Sequence, residues 1–164
     1  MGVGEDMSKV VYPELSYRVM AAVFEVHNTL GPGFVESIYE RALAHELASQ
    51  GIPFERQMTV TVRYKGETVG KHVLDLVIDG KILLELKAVS ALDDAFRQQT
   101  LSYLKATGIK LGILINFGTP RVEYERIVNS QSGMVQRYGS TFVEPRIARI
   151  LSLIFVEFAH SCHS

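Results

Sequence analysis

Apolar residues recur every three to four positions through the N-terminal third of the chain and every second position thereafter. The change marks where helices give way to strands. Val19, Ala22, Val23, Val26 and Leu30 form one stripe that Gly31-Pro32-Gly33 interrupts, so the spacing predicts a helix over 14–30. Val35, Ile38, Tyr39, Ala42, Leu43 and Leu47 predict a second helix over 34–50, with Gly51 just past its end. Met58, Val60, Val62 and Tyr64 then alternate with polar residues, the signature of a half-exposed strand. Lys65-Gly66-Glu67 turns the chain, Val73 to Ile78 reads as the next strand, Asp79-Gly80 as a hairpin turn, and Ile82 to Val89 as a third strand. A helix is expected over 92–107, ended by Gly108. The almost wholly apolar run Leu111 to Asn116 predicts a strand buried on both faces, and Val122 to Val128 alternates again.

The expected order is α-α-β-β-β-α-β-β, an α/β domain whose mixed central sheet is flanked by helices. It occupies residues 12–128. Residues 129–164 read as a C-terminal extension, a loop over 129–140 followed by a terminal helix or tail over 145–158. A chain of 164 residues suits one domain. No apolar stretch is long enough to span a membrane, and the N-terminus lacks the basic start and apolar run of a signal peptide. The single cysteine, Cys162, has no internal partner, so a reducing cytoplasmic setting is expected. Seventeen basic residues against eighteen acidic ones exclude a protein that coats nucleic acid by bulk charge. Any nucleic-acid contact should be local and confined to a groove, with room for a homo-oligomeric or other protein partner.

Charged residues inside two otherwise apolar strands are the candidate chemistry. Asp75 lies within VLDLVID, and Glu85 and Lys87 within ILLELKAV. Ionised groups in such surroundings must be paired, bound to a metal or turned to a solvated rim. Alternation puts Glu85 and Lys87 on one face. A two-residue turn at Asp79-Gly80 would leave Asp75 opposite Leu84, on the other face. A three-residue turn pairs Ile78 with Ile82 and brings Asp75 opposite Glu85, with cross-strand neighbours about 5 Å apart. Two carboxylates that close repel unless they share a cation, so a shared Mg²⁺ or Mn²⁺ demands the odd-length turn. Such an ion generates hydroxide and clamps a phosphate, and a nearby ammonium stabilises the transition state. A rim ion pair of Lys87 with Glu85 or Asp75 would have the same spacing.

Three motifs narrow the choice. Gly33-Phe-Val-Glu36-Ser-Ile-Tyr39 reproduces G-x-x-E-x-x-Y. Asp75 with Glu85-Leu86-Lys87 resembles the PD-(D/E)xK pattern, with Leu74 where that pattern has proline. Gln99-Thr-Leu-Ser-Tyr103 resembles the Q-x-x-x-Y motif of the exonuclease branch of the same superfamily. With YLKATGIKLGILINFG, these make the chain resemble the GxxExxY protein family within the PD-(D/E)xK, restriction-endonuclease-like superfamily. The resemblance implies a restriction-endonuclease-like core and a Mg²⁺-dependent nuclease site acting on nucleic acid, with DNA the expected form. Its metal ligands would be Asp75 and Glu85, with the Leu86 carbonyl and Glu36 as further candidates, and Lys87 would be the catalytic cation.

Other residues carry two readings each. Glu36, on an arc with Tyr39, Leu43 and Leu47, either faces a pocket and completes the site or answers the helix dipole. The Tyr39 ring is expected in the core with its hydroxyl on a site carboxylate. His27 borders the Val23/Val26 stripe, as a hydrogen-bonded core histidine or a phosphate contact. Gln99 and Tyr103 share a helix face with Leu92, Phe96 and Ala106, where the amide would serve a base, a phosphate or the lysine's strand. Tyr39, His27, Gln99 and Tyr103 are therefore the candidate substrate-binding residues.

Overall fold

The change of period at Gly51 becomes the boundary between two helices and a sheet. The computed structural model describes residues 11–130, and the elements follow the predicted order: α1 (Pro13–Leu30), α2 (Glu36–Ser49), β1 (Phe54–Tyr64), β2 (Glu67–Ile78), β3 (Ile82–Lys87), α3 (Asp94–Thr107), β4 (Leu111–Asn116) and β5 (Glu123–Val128). Pro13 starts α1, where its missing N–H costs nothing, and Gly31 (φ 69°) closes it with its N–H on the His27 carbonyl. Asp93 caps α3 by accepting from the Phe96 N–H at 3.2 Å, and Gly108 (φ 74°) ends that helix.

The sheet runs β1-β2-β3-β4-β5. Only β3 and β4 are parallel, and α3 is the connection between them. One apolar cluster joins Val19, Val23, Tyr39, Leu43 and Leu47 of α1 and α2 to Leu76, Ile82, Leu84, Leu86, Ile113 and Ile115. The opposite cluster joins Leu104 of α3 to Leu74, Val77 and Leu83, with Met58, Val60 and Tyr103 against it. Helices thus cover both faces, and β4 is buried throughout, as its unbroken apolar run predicts. The fold is the expected α/β, restriction-endonuclease-like architecture.

Several boundaries move. The β1–β2 hairpin is longer than its apolar core, because ladder pairing continues through the polar residues up to Tyr64↔Glu67. β3 stops at Lys87, two residues before the apolar run ends, where Asn116 takes over the Val89 backbone. α2 starts at Glu36, which leaves Val35 63% and Ile38 40% exposed rather than on the buried stripe. Among the described residues, no helix is long and apolar enough to cross a membrane. The loop and tail expected beyond residue 130 lie outside the described residues.

Candidate functional site

The turn between β2 and β3 has three residues. Asp79 (φ 49°) and Gly80 (φ 65°) take left-handed backbone, the Lys81 N–H closes on the Ile78 carbonyl at 2.8 Å, and Ile78 pairs with Ile82. Continued along the strands, that register sets Asp75 level with Glu85. Regular pairing stops one step short, at Leu76↔Leu84, and the Asp75 carboxylate itself accepts the Leu86 N–H at 2.8 Å. A side chain thus does the work of a backbone carbonyl where β2 leaves β3.

Glu85 is 4% exposed. One of its oxygens accepts from Lys87 Nζ at 3.1 Å, and the other, Oε2, is buried without a hydrogen-bond partner. Burial, then the neighbouring Asp75 charge, pushes the Glu85 carboxyl up to about 7. Burial also raises Asp75, against the Leu86 N–H and Lys87, while Glu40 and Glu36 add to the rise. Lys87 pairs with Glu85 while its charge also acts on Asp75, and its ammonium lies 5.2 Å from the Phe96 ring centroid. A partnerless buried carboxylate oxygen beside a second carboxylate is what a hard cation would satisfy, so the donor set fits a divalent ion. Among the described residues, no three His, Cys, Asp or Glu side chains come together as a metal site. Remaining ligands would have to be a backbone carbonyl such as that of Leu86, water or substrate oxygen.

The other predicted residues divide. Glu36 is exposed in the first turn of α2, one turn before burial begins at Tyr39, so its apolar neighbours do not draw it into a pocket. Its charge nevertheless reaches both Asp75 and Glu85. Tyr39 is fully buried and stacks on Phe117 with centroids 4.5 Å apart. Its hydroxyl donates to the Gly31 carbonyl (2.6 Å) and accepts from the Phe34 N–H (3.2 Å), not from or to a site carboxylate. The tyrosine of G-x-x-E-x-x-Y thus ties down the glycine turn. His27 is the buried, bonded histidine, with Nε2 2.9 Å from the Thr119 carbonyl. On α3 the buried residues are Thr100 and Leu104, so Gln99 is exposed rather than set in an apolar stripe, and Ala106 is exposed too.

Tyr103 does face the site. Burial, then the Glu85 and Asp75 charges, raises its hydroxyl to about 12, against the Gln99 amide, which lowers it. Its ring stacks on His72, centroids 3.9 Å apart, with the hydroxyl 3.2 Å from His72 Nδ1. His72 has its own pKa lowered by burial, with Asp75 raising and Lys87 lowering it. Sequence reading passes over it; the signal would have been a polar ring three residues before Asp75. Two more residues escape notice. Buried Asn116 binds the Val89 N–H and carbonyl, the Gly118 N–H and Glu123, which pins the chain just after Lys87. Glu40, 6% exposed on α2, accepts from Arg56 and Gln57 on β1.

The family model of the PD-(D/E)XK nuclease superfamily matches residues 13–127. The chain belongs to that superfamily. Among solved structures, the PD-(D/E)XK chain is similar to the crystal structure of SSO0001, at 18% identity and a TM-score of 0.47 over 74% of this chain and 58% of that one. It is also similar to an alkaline exonuclease from Laribacter hongkongensis, at 10% identity and a TM-score of 0.46 over 92% of this chain and 84% of that one. No curated protein matches the chain.

Proposed function

We propose that the chain is a divalent-metal-dependent nuclease that hydrolyses phosphodiester bonds in nucleic acid. The carrying observation is Glu85 Oε2, buried without a partner beside Asp75. Asp75 and Glu85 would hold Mg²⁺ or Mn²⁺ with the Leu86 carbonyl. When bound, the ion lowers the pKa of water and neutralises charge growing on the phosphate. Lys87 leaves Glu85 to orient the nucleophile or meet the transition-state charge. Tyr103 and His72 form an aromatic wall beside the carboxylates and bound the space for the substrate backbone, with Gln99 at its exposed edge. Glu36 would help position water; what supports this is that its charge reaches both carboxylates. Membership of the GxxExxY family within the superfamily rests on Gly33, Glu36 and Tyr39, and the nuclease unit is residues 12–128.

A second reading has its own observation. The Lys87–Glu85 contact of 3.1 Å is the ion pair that the spacing also allows, though largely buried and not on a rim, and it suits a non-catalytic nucleic-acid-binding or assembly domain. One experiment separates the two. Single-stranded, double-stranded and branched DNA and RNA are incubated with the protein and Mg²⁺ or Mn²⁺. Cleavage that EDTA stops, and that falls by about 100-fold or more in Asp75→Ala and Lys87→Ala, is the expected result. Activity unchanged in either variant would sink the assignment, and binding without turnover would select the second reading.

A further inference from the structure

Gln57, the fourth residue of β1, has φ 53°, a backbone region that a non-glycine residue in a strand rarely adopts. The β1–β2 register holds on either side, Arg56↔Leu76 and Met58↔Leu74, so the residue across from Gln57 is Asp75. At this step both strands change face. Phe54 on β1 and Leu76 and Ile78 on β2 belong to the cluster under α1 and α2, whereas Met58, Val60 and Leu74 belong to the cluster under α3. Plain alternation would keep these even-numbered positions together. Consecutive strand side chains should likewise point to opposite faces, yet Arg56 Nε and Gln57 Nε2 both donate to the Glu40 carboxylate, at 2.9 and 2.6 Å. They can do so because the backbone reverses at Gln57. Backbone held in a sparsely populated region persists only where its surroundings over-determine it, and Glu40 is the group that grips this one.

We infer that Glu40 is a positioning residue: the register already sets Asp75 level with Glu85, and by clamping Arg56 and Gln57 Glu40 fixes the reversal of β1 that holds the Asp75 carboxylate on the Leu86 N–H instead of on the α3 face where plain alternation would set it. This rests on the reading of Asp75 and Glu85 as a cation pair. Released from Glu40, Gln57 relaxes to ordinary strand backbone, β2 regains its alternation opposite it, and the Asp75 carboxylate leaves the Leu86 N–H. Glu40 itself touches neither metal nor substrate.

Two readouts test this, one of them free of metal and turnover. Hydrogen exchange of the Leu86 amide, followed by NMR in EDTA, reports the Asp75 contact. Mn²⁺ titration calorimetry reports the pair. Glu40→Ala is expected to speed Leu86 exchange by about tenfold relative to other β3 amides and to weaken Mn²⁺ binding by about tenfold. It should lower kcat on an oligonucleotide more than it raises KM. Gln57→Gly, which holds a positive φ without strain, should recover most of the Mn²⁺ affinity when added to Glu40→Ala. Glu40→Gln, which keeps the shape and one acceptor, should fall between, and it carries the test if Glu40→Ala does not fold. Leu86 exchange and Mn²⁺ affinity within twofold of the wild type in Glu40→Gln and Glu40→Ala, or a loss that Gln57→Gly leaves untouched, overturns the positioning role. A wild type that binds no Mn²⁺ overturns the cation-pair reading, and the role built on it, whatever Glu40 does.

Discussion

Glu85 carries an unfavourable charge in the metal-free fold, and this has a testable sign. Its carboxyl is raised from 4.5 to about 7, so the folded protein keeps a proton that the unfolded chain releases. The stability from this group is present below about pH 4.5 and is lost as pH rises through 7. Asp75 is raised as well and works in the same direction. Thermal melts in EDTA should therefore show a falling midpoint between pH 5 and pH 8. Glu85→Gln should flatten that fall, stabilise the protein at pH 8 by about 1–2 kcal/mol and abolish cleavage. Mg²⁺ should restore the midpoint of the wild type but not of the variant. A melt that is flat with pH would remove the argument. The spacing D-x₉-E-x-K was legible in the sequence; the orphaned oxygen was not, because burial of a particular atom depends on what α3 and the neighbouring strands place over it.

At the level of elements, the segment after β3 is held by β4 and the turn that follows it. Asn116 is fully buried and satisfies four groups, and a β-carbon on Gly118 would lie 2.4 Å from the Val89 carbonyl oxygen. Asn116→Ala should cost about 1–3 kcal/mol, since it leaves the half-buried Val89 N–H and carbonyl and the Gly118 N–H without their partner. Gly118→Ala must displace backbone and should cost about 2–3 kcal/mol. Gly112→Ala is the milder control. Its β-carbon would lie 2.9 Å from Thr100 Cγ2 and 3.2 Å from Leu104 Cδ1, both of them side-chain ends that can shift. Urea denaturation ranks the three, and a Gly118→Ala protein as stable as Gly112→Ala would contradict the close approach. INFG stood out in the sequence only as part of a resemblance. Its physical meaning needed the register Lys87↔Asn116, which brings residues distant in sequence side by side.

For the whole molecule, charge limits how nucleic acid can be held. With a formal net charge of −1, the chain can offer few phosphate contacts at once. Binding measured with Ca²⁺ in place of Mg²⁺ should show a log K against log salt slope of about −2 to −4. A slope near about −8 would mean a broad electrostatic footprint and defeat the groove-limited reading. Fluorescence anisotropy across a salt series makes the measurement. The Arg97–Glu125 pair linking α3 to β5 is exposed to solvent and adds little to the frame.

Local pattern was enough for the element order, the doubly buried β4, the helix ends at Gly31 and Gly108, and the pairing of Asp75, Glu85 and Lys87 as candidate chemistry. Those follow from period, propensity and the cost of burying charge, all of which act on neighbours in the chain. Sequence also posed the right geometric condition, a three-residue turn at Asp79 to Lys81, but could not choose between it and the two-residue turn that Asp79-Gly80 equally suggests. Tertiary packing decided that register. It also decided which face of α3 meets the sheet, so that Tyr103 turns to the site and Gln99 stays at the rim. It sent the Tyr39 hydroxyl to Gly31, joined His72 to Tyr103, and set Glu40 against a reversed β1. Each of these depends on contacts between elements far apart in sequence, where energies are settled by which groups lose water together rather than by any periodicity along the chain.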